Sequence, residues 1–345
     1  MDVMEAPRPV AAATAPMLGL RSAHRPPVRR RFADTVYRGV STTVALTMVA
    51  VLAGIVAVLV HTAWPAFGTI GFSFFTGTVW NQYDGLYGSY GALPFLVGTL
   101  ITTALALLIA VPVSLAIAVL LTEYLPVWLA SVLGVVIDVA AGVPTIVFGA
   151  WALLVLVPWL HYTGEPALQA VLGWLPIFAT PPIGYISGEG MLATGLVLAA
   201  MVFPTIVSVT RNAFRATPQD LRESSLALGA TTWETATRVV MRQARPAVVG
   251  GVILACGRAI GETMAVIYII GGVAAEMPHS LLDVGNTLSS WLLLQANGAI
   301  PGTLSTAALY ELGLVLLALA LASSLAGRLL TKRLAGLAAI AGGGR

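Results

Sequence analysis

Arg258 and Glu262 stand four residues apart in the stretch CGRAIGETMAV, inside an apolar run that begins near Ala247 and continues past Ile270. Arginine presents a planar fork of donors that suits an oxyanion, and it stays ionised in any environment. A charge at the centre of a bilayer costs about 2.5–3.5 kcal/mol on insertion scales, so two of them persist only with partners or along a wet path. Positions four apart on a continuous helix share a face, and Arg258 and Glu262 are therefore expected to neutralise one another. The residues alone leave two readings open. One is an ion pair that locks a helix bundle; the other is an anion-handling site in which Glu262 occupies the guanidinium until an anion displaces it. Thr263 adds a hydroxyl beside the pair. Gly257 and Gly261 form a small-xxx-small spacing that lets another helix approach closely.

The elements that must hold this pair are membrane helices. The 345 residues are 58% hydrophobic and 10% charged, with a mean hydropathy of +0.89, well outside the makeup of a soluble domain. Runs of the roughly 20 apolar residues needed to cross a bilayer fall near 40–62, 94–121, 129–158, 190–211, 247–271 and 306–330. They are continuous and far longer than the alternating segments of about ten residues that build a barrel. The fold class expected is all-α integral membrane, with six transmembrane helices. The stretch 167–178 is apolar but short, and is expected to be an interfacial or re-entrant helix. The first run exceeds the apolar core of a signal peptide, so 39–63 is expected as a retained span behind a basic, disordered tail at 1–38.

An alkaline pI of 9.2 raises nucleic acid as a partner, but the positions of the charges point to a bilayer. Of the 18 Lys and Arg residues, seven lie in the N-terminal tail, six from Arg211 to Arg245, four from Arg328 to Arg345, and one is Arg258. The segments 64–91, 159–190 and 272–305 hold none, although they carry acids such as Asp84, Glu165, Glu189, Glu276 and Asp283. The positive-inside rule then puts both termini, including 333–345, and the 212–246 loop in the cytoplasm. The outer segment 64–91 is rich in Trp, Phe and Tyr; an interfacial aromatic belt is favoured there over a docking surface for an outside partner.

Several chemistries are excluded. Cys256 is the only cysteine, and the four histidines His24, His61, His161 and His279 are scattered, so neither a metal site nor an intramolecular disulfide is expected. Lys332 is the only lysine and follows Thr331, so there is no P-loop. Any ATP hydrolysis must sit on a partner; the chain is expected to be no enzyme and to need no cofactor. Asp138, Glu262 and Glu311 are the conceivable acids of an intramembrane enzyme, but no nucleophile–base set accompanies them. Asp138 and Glu311 are expected to face protein or water. A secondary transporter would place charged or broken helices in corresponding positions of two halves, whereas the charge here gathers in the fifth run.

The loop 212–246 carries two helix starts. Thr217-Pro218-Gln219-Asp220 offers an N-cap threonine followed by proline, and Thr231-Thr232-Trp233-Glu234 is a capping box. Gly229 lies between them, where a helix end calls for a left-handed residue. A helix, a tight glycine turn and a second helix leading through Pro246 into the fifth span are predicted. Leu221, Leu226 and Leu228 on so short a cytoplasmic helix point to a docked partner.

Glu223-Ser224-Ser225, then Gly229, then Val239 to Met241 resemble the EAA loop of the binding-protein-dependent ABC-importer permeases. Serines stand for alanines in it, and Arg242 stands where proline is usual. Six further blocks narrow the resemblance over roughly 90–330 to the PstC-type permeases of phosphate importers: GALPFLVGTLITT at 91–103, LTEYLP at 121–126, AGVPTIVFGAW at 141–151, ALGATTWET at 227–235, GRAIGETMAV at 257–266 and ELGLVL at 311–316. The sister PstA-type subunit shares the Arg-Ala-x-Gly-Glu-Thr pattern but not Met264-Ala265 after it. The resemblance implies a type I ABC-importer permease fold, a permease core over 92–332, and an ATPase-docking element built from Leu221, Glu223, Ser224, Ser225, Leu228 and Gly229. It implies a substrate path at Arg258, Glu262 and Thr263, with Gly257 and Gly261 at a helix contact. The partners implied are a PstA-type sister permease, cytoplasmic ATPase subunits, an extracytoplasmic phosphate-binding protein and the lipid of an inner membrane. The same architecture serves other oxyanions, molybdate and sulfate among them.

Overall fold

A computed structural model describes residues 28–81, 88–181, 187–272 and 277–342, with side chains described from 35 to 334 of these. In chain order the helices are α1 (Val28–Thr69), α2 (Leu93–Tyr124), α3 (Val127–Ala141), α4 (Thr145–Leu172), α5 (Met191–Arg215), α6 (Gln219–Ala227), α7 (Thr232–Ile260), α8 (Met264–Ile267), α9 (Leu288–Ala296) and α10 (Leu304–Gly342). Six of them, α1, α2, α4, α5, α7 and α10, are long and apolar enough to cross a membrane. A two-residue hairpin pairs Trp80 with Tyr90.

The chain divides into two compact units, Met1–Ile55 and Val56–Arg345. The described part of the first is the N-terminal stretch of α1, in which every side chain from Thr35 to Ile55 is exposed. Apolar residues in such a row need lipid or another protein around them. The helix begins at Val28, so residues 28–38, expected in the disordered tail, are helical; the rest of that tail lies outside the described residues, as do Asp84 and Glu276.

The second unit is built around α5, the most buried of the six long helices. It packs along α2, where Gly195 leaves room for the Leu105 side chain and Ser114 Oγ donates to the Phe203 carbonyl at 3.3 Å. On its other side α7 packs against both α5 and α10, with Gly251 under Val209 and Gly327 against Ile253.

Two expected spans have different bounds. The run 129–158 is cut at Gly142-Val143-Pro144, because proline lacks an N–H and disfavours helical geometry in the residue before it. Its first part becomes α3, whose 15 residues reach only about 22 Å. Its second part continues to Leu172 as α4 through wide π-type turns, and so absorbs much of the stretch expected as a separate interfacial helix; only the single turn Pro176–Phe178 follows. The fifth span starts at Thr232, with Pro246 inside it, and stops at Ile260 rather than near 271.

Non-helical backbone follows that stop. In a membrane-spanning unit its polar groups need protein partners, and several described ones have them: Gly271 bridges to Gly285, Met191 N donates to Asp283 O at 3.0 Å, and Asp283 Oδ2 accepts from the backbone of His279 and Ser280 at 2.6 and 3.0 Å. The outer aromatics also differ from expectation. Phe74 and Tyr90 are buried, and Trp80 sits between Tyr90 and Phe95, with Phe95 stacked on Trp291 at 4.7 Å. These rings close a core rather than form a belt, while Trp64 and Phe72 stay exposed.

Candidate functional site

The helix–turn–helix between α5 and α7 forms as its residues dictate. Gly229 has φ +85°, and around it Ala230 N donates to Ser225 O at 3.2 Å and Gly229 N to Leu226 O at 2.9 Å, the paired bonds of a Schellman turn. Thr231 and Glu234 form the reciprocal capping box, with Glu234 N on Thr231 Oγ1 at 3.2 Å and Thr231 N on Glu234 Oε2 at 3.1 Å. Ser225 and Thr235 share a hydroxyl contact at 3.0 Å across the turn. The first helix start differs from expectation. Pro218, extended at ψ 138°, occupies the cap position, and Thr217 Oγ1 is buried without a hydrogen-bond partner among the described residues. The Thr217 amide instead closes the end of α5 on Phe214 O.

What fastens the loop is a contact distant in sequence. Arg222 on α6 grips Glu123 at the end of α2 in a two-pronged pair, Nη2 to Oε1 at 3.1 Å and Nε to Oε2 at 3.3 Å. It also donates to the carbonyls of Thr217 and Phe214, each at 2.7 Å. The signal was present in LTEYLP, whose acid sits at a span end with no nearby base in sequence. Arg211 belongs to α5, where its Nη2 reaches Asp138 on α3 at 2.8 Å. Asp138 thus faces protein, and Glu311 is fully buried. Four large apolar side chains stand out among the loop's exposed polar ones: Leu221, Leu226, Leu228 and Trp233, with Leu228 exposed to 89%.

At the far end of α7 the expected pairing of Arg258 and Glu262 does not form. The helix ends at Ile260, Gly261 turns the chain at φ −86°, ψ 0°, and Glu262 leaves the face that Arg258 occupies. An i,i+4 pair needs an unbroken helix, and this one is broken between its members. Glu262 is nearly buried and holds the break itself, with Oε1 accepting from Ala265 N at 3.3 Å and its carbonyl accepting from Ser289 Oγ at 2.6 Å. The expectation that Glu262 occupies the guanidinium of Arg258 is therefore replaced. Thr263 Oγ1 turns back to Gly261 O at 3.3 Å.

Arg258 donates to Thr205 Oγ1 on α5 at 3.4 Å, next to the in-helix Pro204, and lines a cavity of about 690 Å³ between α7 and α10. Gly257 lines it too, yet a Cβ there would make only ordinary contact with Ser323 Oγ at 3.8 Å, and one on Gly261 would meet only its own helix. Within the chain these two glycines are not a close helix contact.

Residues 110–336 match the family model of the binding-protein-dependent transport system inner membrane component. The phosphate transport system permease protein PstC of Pasteurella multocida is 39% identical over 283 residues, covering 82% of this chain and 87% of that protein. Its namesake from Mesorhizobium japonicum is 38% identical over 293 residues, covering 83% and 87%. A solved bacterial alginate ABC transporter, in complex with an alginate pentasaccharide-bound periplasmic protein, shares the fold at a TM-score of 0.56 and 14% identity, over 89% of this chain and 96% of that one. With its six membrane-length helices, the chain belongs to the family of binding-protein-dependent transport inner membrane components, among the PstC-type permeases.

Proposed function

We propose that this chain is one half of the pore of an ATP-driven importer of inorganic phosphate. The observation that carries the reading is the continuity of α7: one helix runs from the capping box at Thr231 to the break after Ile260, where Arg258 sits. Its 29 residues make a lever of about 43 Å. A push on the exposed apolar surface of the cytoplasmic loop is delivered by that helix to the guanidinium. Leu221, Glu223, Ser224, Ser225, Leu228 and Gly229 are the docking element for a separate ATPase subunit, which supplies the hydrolysis; both termini lie on the same cytoplasmic side.

In this reading Arg258 takes the anion, since its fork keeps one weak hydroxyl partner and no carboxylate among the described residues. Glu262 and Thr263 shape the path by holding the helix break beside it. Gly257 and Gly261, free of close contact within the chain, leave room for the facing helix of a PstA-type sister permease. An extracytoplasmic phosphate-binding protein delivers the ion. Phosphate is favoured over molybdate or sulfate because relatives at 38–39% identity over more than four fifths of the chain carry phosphate transport in their names.

Co-purification from native membranes tests the assembly. A sister permease, an ATPase and a phosphate receptor recovered together with this chain are expected; a homodimer without an ATPase contradicts the proposal.

A further inference from the structure

Three of the chain's cations open onto one cavity. Arg258 on α7 and Arg328 and Lys332 on α10 all line the space of about 690 Å³ between the two helices, together with the hydroxyl residues Ser324 and Thr331. It is an open groove rather than an enclosed pocket, and its lining is largely apolar apart from these residues. No acid lines it among the described residues.

The helices run antiparallel there, Gly250 lying by Thr331, Gly327 against Ile253, and Gly257 by Ser323. Arg258 is thus level with Ser323. At 1.5 Å per residue, Arg328 and Lys332 follow about 8 and about 14 Å further along α10 toward its C-terminal end. Ser324, Arg328 and Lys332 are successive four-residue steps on one face. The result is a ladder of positive charge descending from the helix break.

Like charges four apart on a helix repel. Arg211, Arg222 and Arg238 pair with Asp138, Glu123 and Glu234, whereas Arg215, Arg242 and Arg245 have no ion pair among the described residues. Arg258, Arg328 and Lys332 have no ion-pair partner among the described residues. Orientation in the membrane needs positive charge near the end of α10, but not two cations on the face that lines a cavity with Arg258.

We propose that this cavity is a phosphate-group site, at which Arg328 and Lys332 receive an anion on the cytoplasmic side of Arg258. It rests on the reading of Arg258 as a path residue. The same chemistry fits free phosphate in transit and the headgroup of an anionic lipid seated between the helices.

The test uses the whole importer in proteoliposomes, with R328Q/K332Q, the charge-keeping R328K/K332R, and R258Q. Uptake of inorganic phosphate is measured in vesicles of phosphatidylcholine alone and in the same vesicles carrying phosphatidylglycerol. If free phosphate is the occupant, R328Q/K332Q slows uptake on the order of tenfold in both vesicles, as expected for lost charge-assisted contacts, and the charge-keeping variant restores it. If lipid is the occupant, wild-type uptake rises with phosphatidylglycerol and R328Q/K332Q no longer responds. Either result supports the site. Wild-type uptake and wild-type lipid response in R328Q/K332Q overturn it. Should that variant fail to assemble, the single variants R328Q and K332Q overturn it equally if both keep wild-type uptake and the wild-type lipid response. Loss in R258Q alone leaves the path reading standing without this site, whereas no loss in any variant removes both.

Discussion

Arg222 Nη2 lies 3.1 Å from Glu123 Oε1, and through that pair the helix α6 of the helix–turn–helix loop is bolted to the end of α2, 99 positions earlier in the chain. Both side chains are largely buried, at 14% and 7% exposure. Removing one partner strands the other charge, a loss of about 3–5 kcal/mol for a buried pair. Arg222→Ala also frees the carbonyls of Thr217 and Phe214. It is expected to lower thermal stability of the purified importer and to separate ATP hydrolysis from uptake. Glu123→Gln, which keeps an acceptor, is expected to be milder. Equal, wild-type coupling ratios in both variants, measured as phosphate carried per ATP split, count against the clamp.

Gly229 isolates a backbone effect. A Cβ there meets nothing within 4 Å, so only the left-handed φ of +85° opposes a side chain. Gly229→Ala is expected to cost about 1–2 kcal/mol. Gly229→Asn is expected to lose less, since asparagine tolerates this region. Retention of the ATPase on the affinity-purified permease measures it: alanine weaker, asparagine close to wild type. The reverse order indicates that the side chain rather than the turn is read.

Gly134 and Asp138 both act on Arg211. A Cβ on Gly134 would strike the Arg211 guanidinium, and Asp138 holds that guanidinium at 2.8 Å. Each of Gly134→Ala and Asp138→Ala is expected to destabilise, the latter by about 1.5–3 kcal/mol for a lost charged hydrogen bond. Because they disturb one contact, the double variant is expected to fall short of the sum. Additive shifts in thermal midpoint mean the two act separately.

Arg258 and Glu262 are predicted to be energetically independent as a charge pair. The swap R258E/E262R is expected not to restore the uptake that each single change removes, and R258K with E262Q to combine within about 0.5 kcal/mol of additivity. Rescue by the swap contradicts the separation of the two side chains at the Gly261 break.

Local rules carried far in this chain where they were strictly local. The Schellman turn at Gly229 and the capping box at Thr231 need only residues within a few positions, and both formed where the sequence placed them. Six membrane-length helices followed from hydropathy. Boundaries were less legible because proline and glycine act differently by context: Pro144 ends a helix, while Pro112, Pro204 and Pro246 lie inside helices. The same ambiguity hid the most consequential feature. Gly261 was read as a small residue inside a helix; it is the point at which the helix stops, and that stop separates the two charges that spacing had joined. Contacts distant in sequence, Arg222 with Glu123 and Arg211 with Asp138, left no periodic trace.

We propose that Arg258, at the far end of α7 from the helix–turn–helix loop, handles the transported anion. The most direct test is phosphate uptake and ATP hydrolysis measured side by side in proteoliposomes holding the full importer with Arg258→Gln. The account predicts that uptake is lost while hydrolysis stimulated by the phosphate-loaded receptor persists. Uptake at the wild-type rate contradicts it.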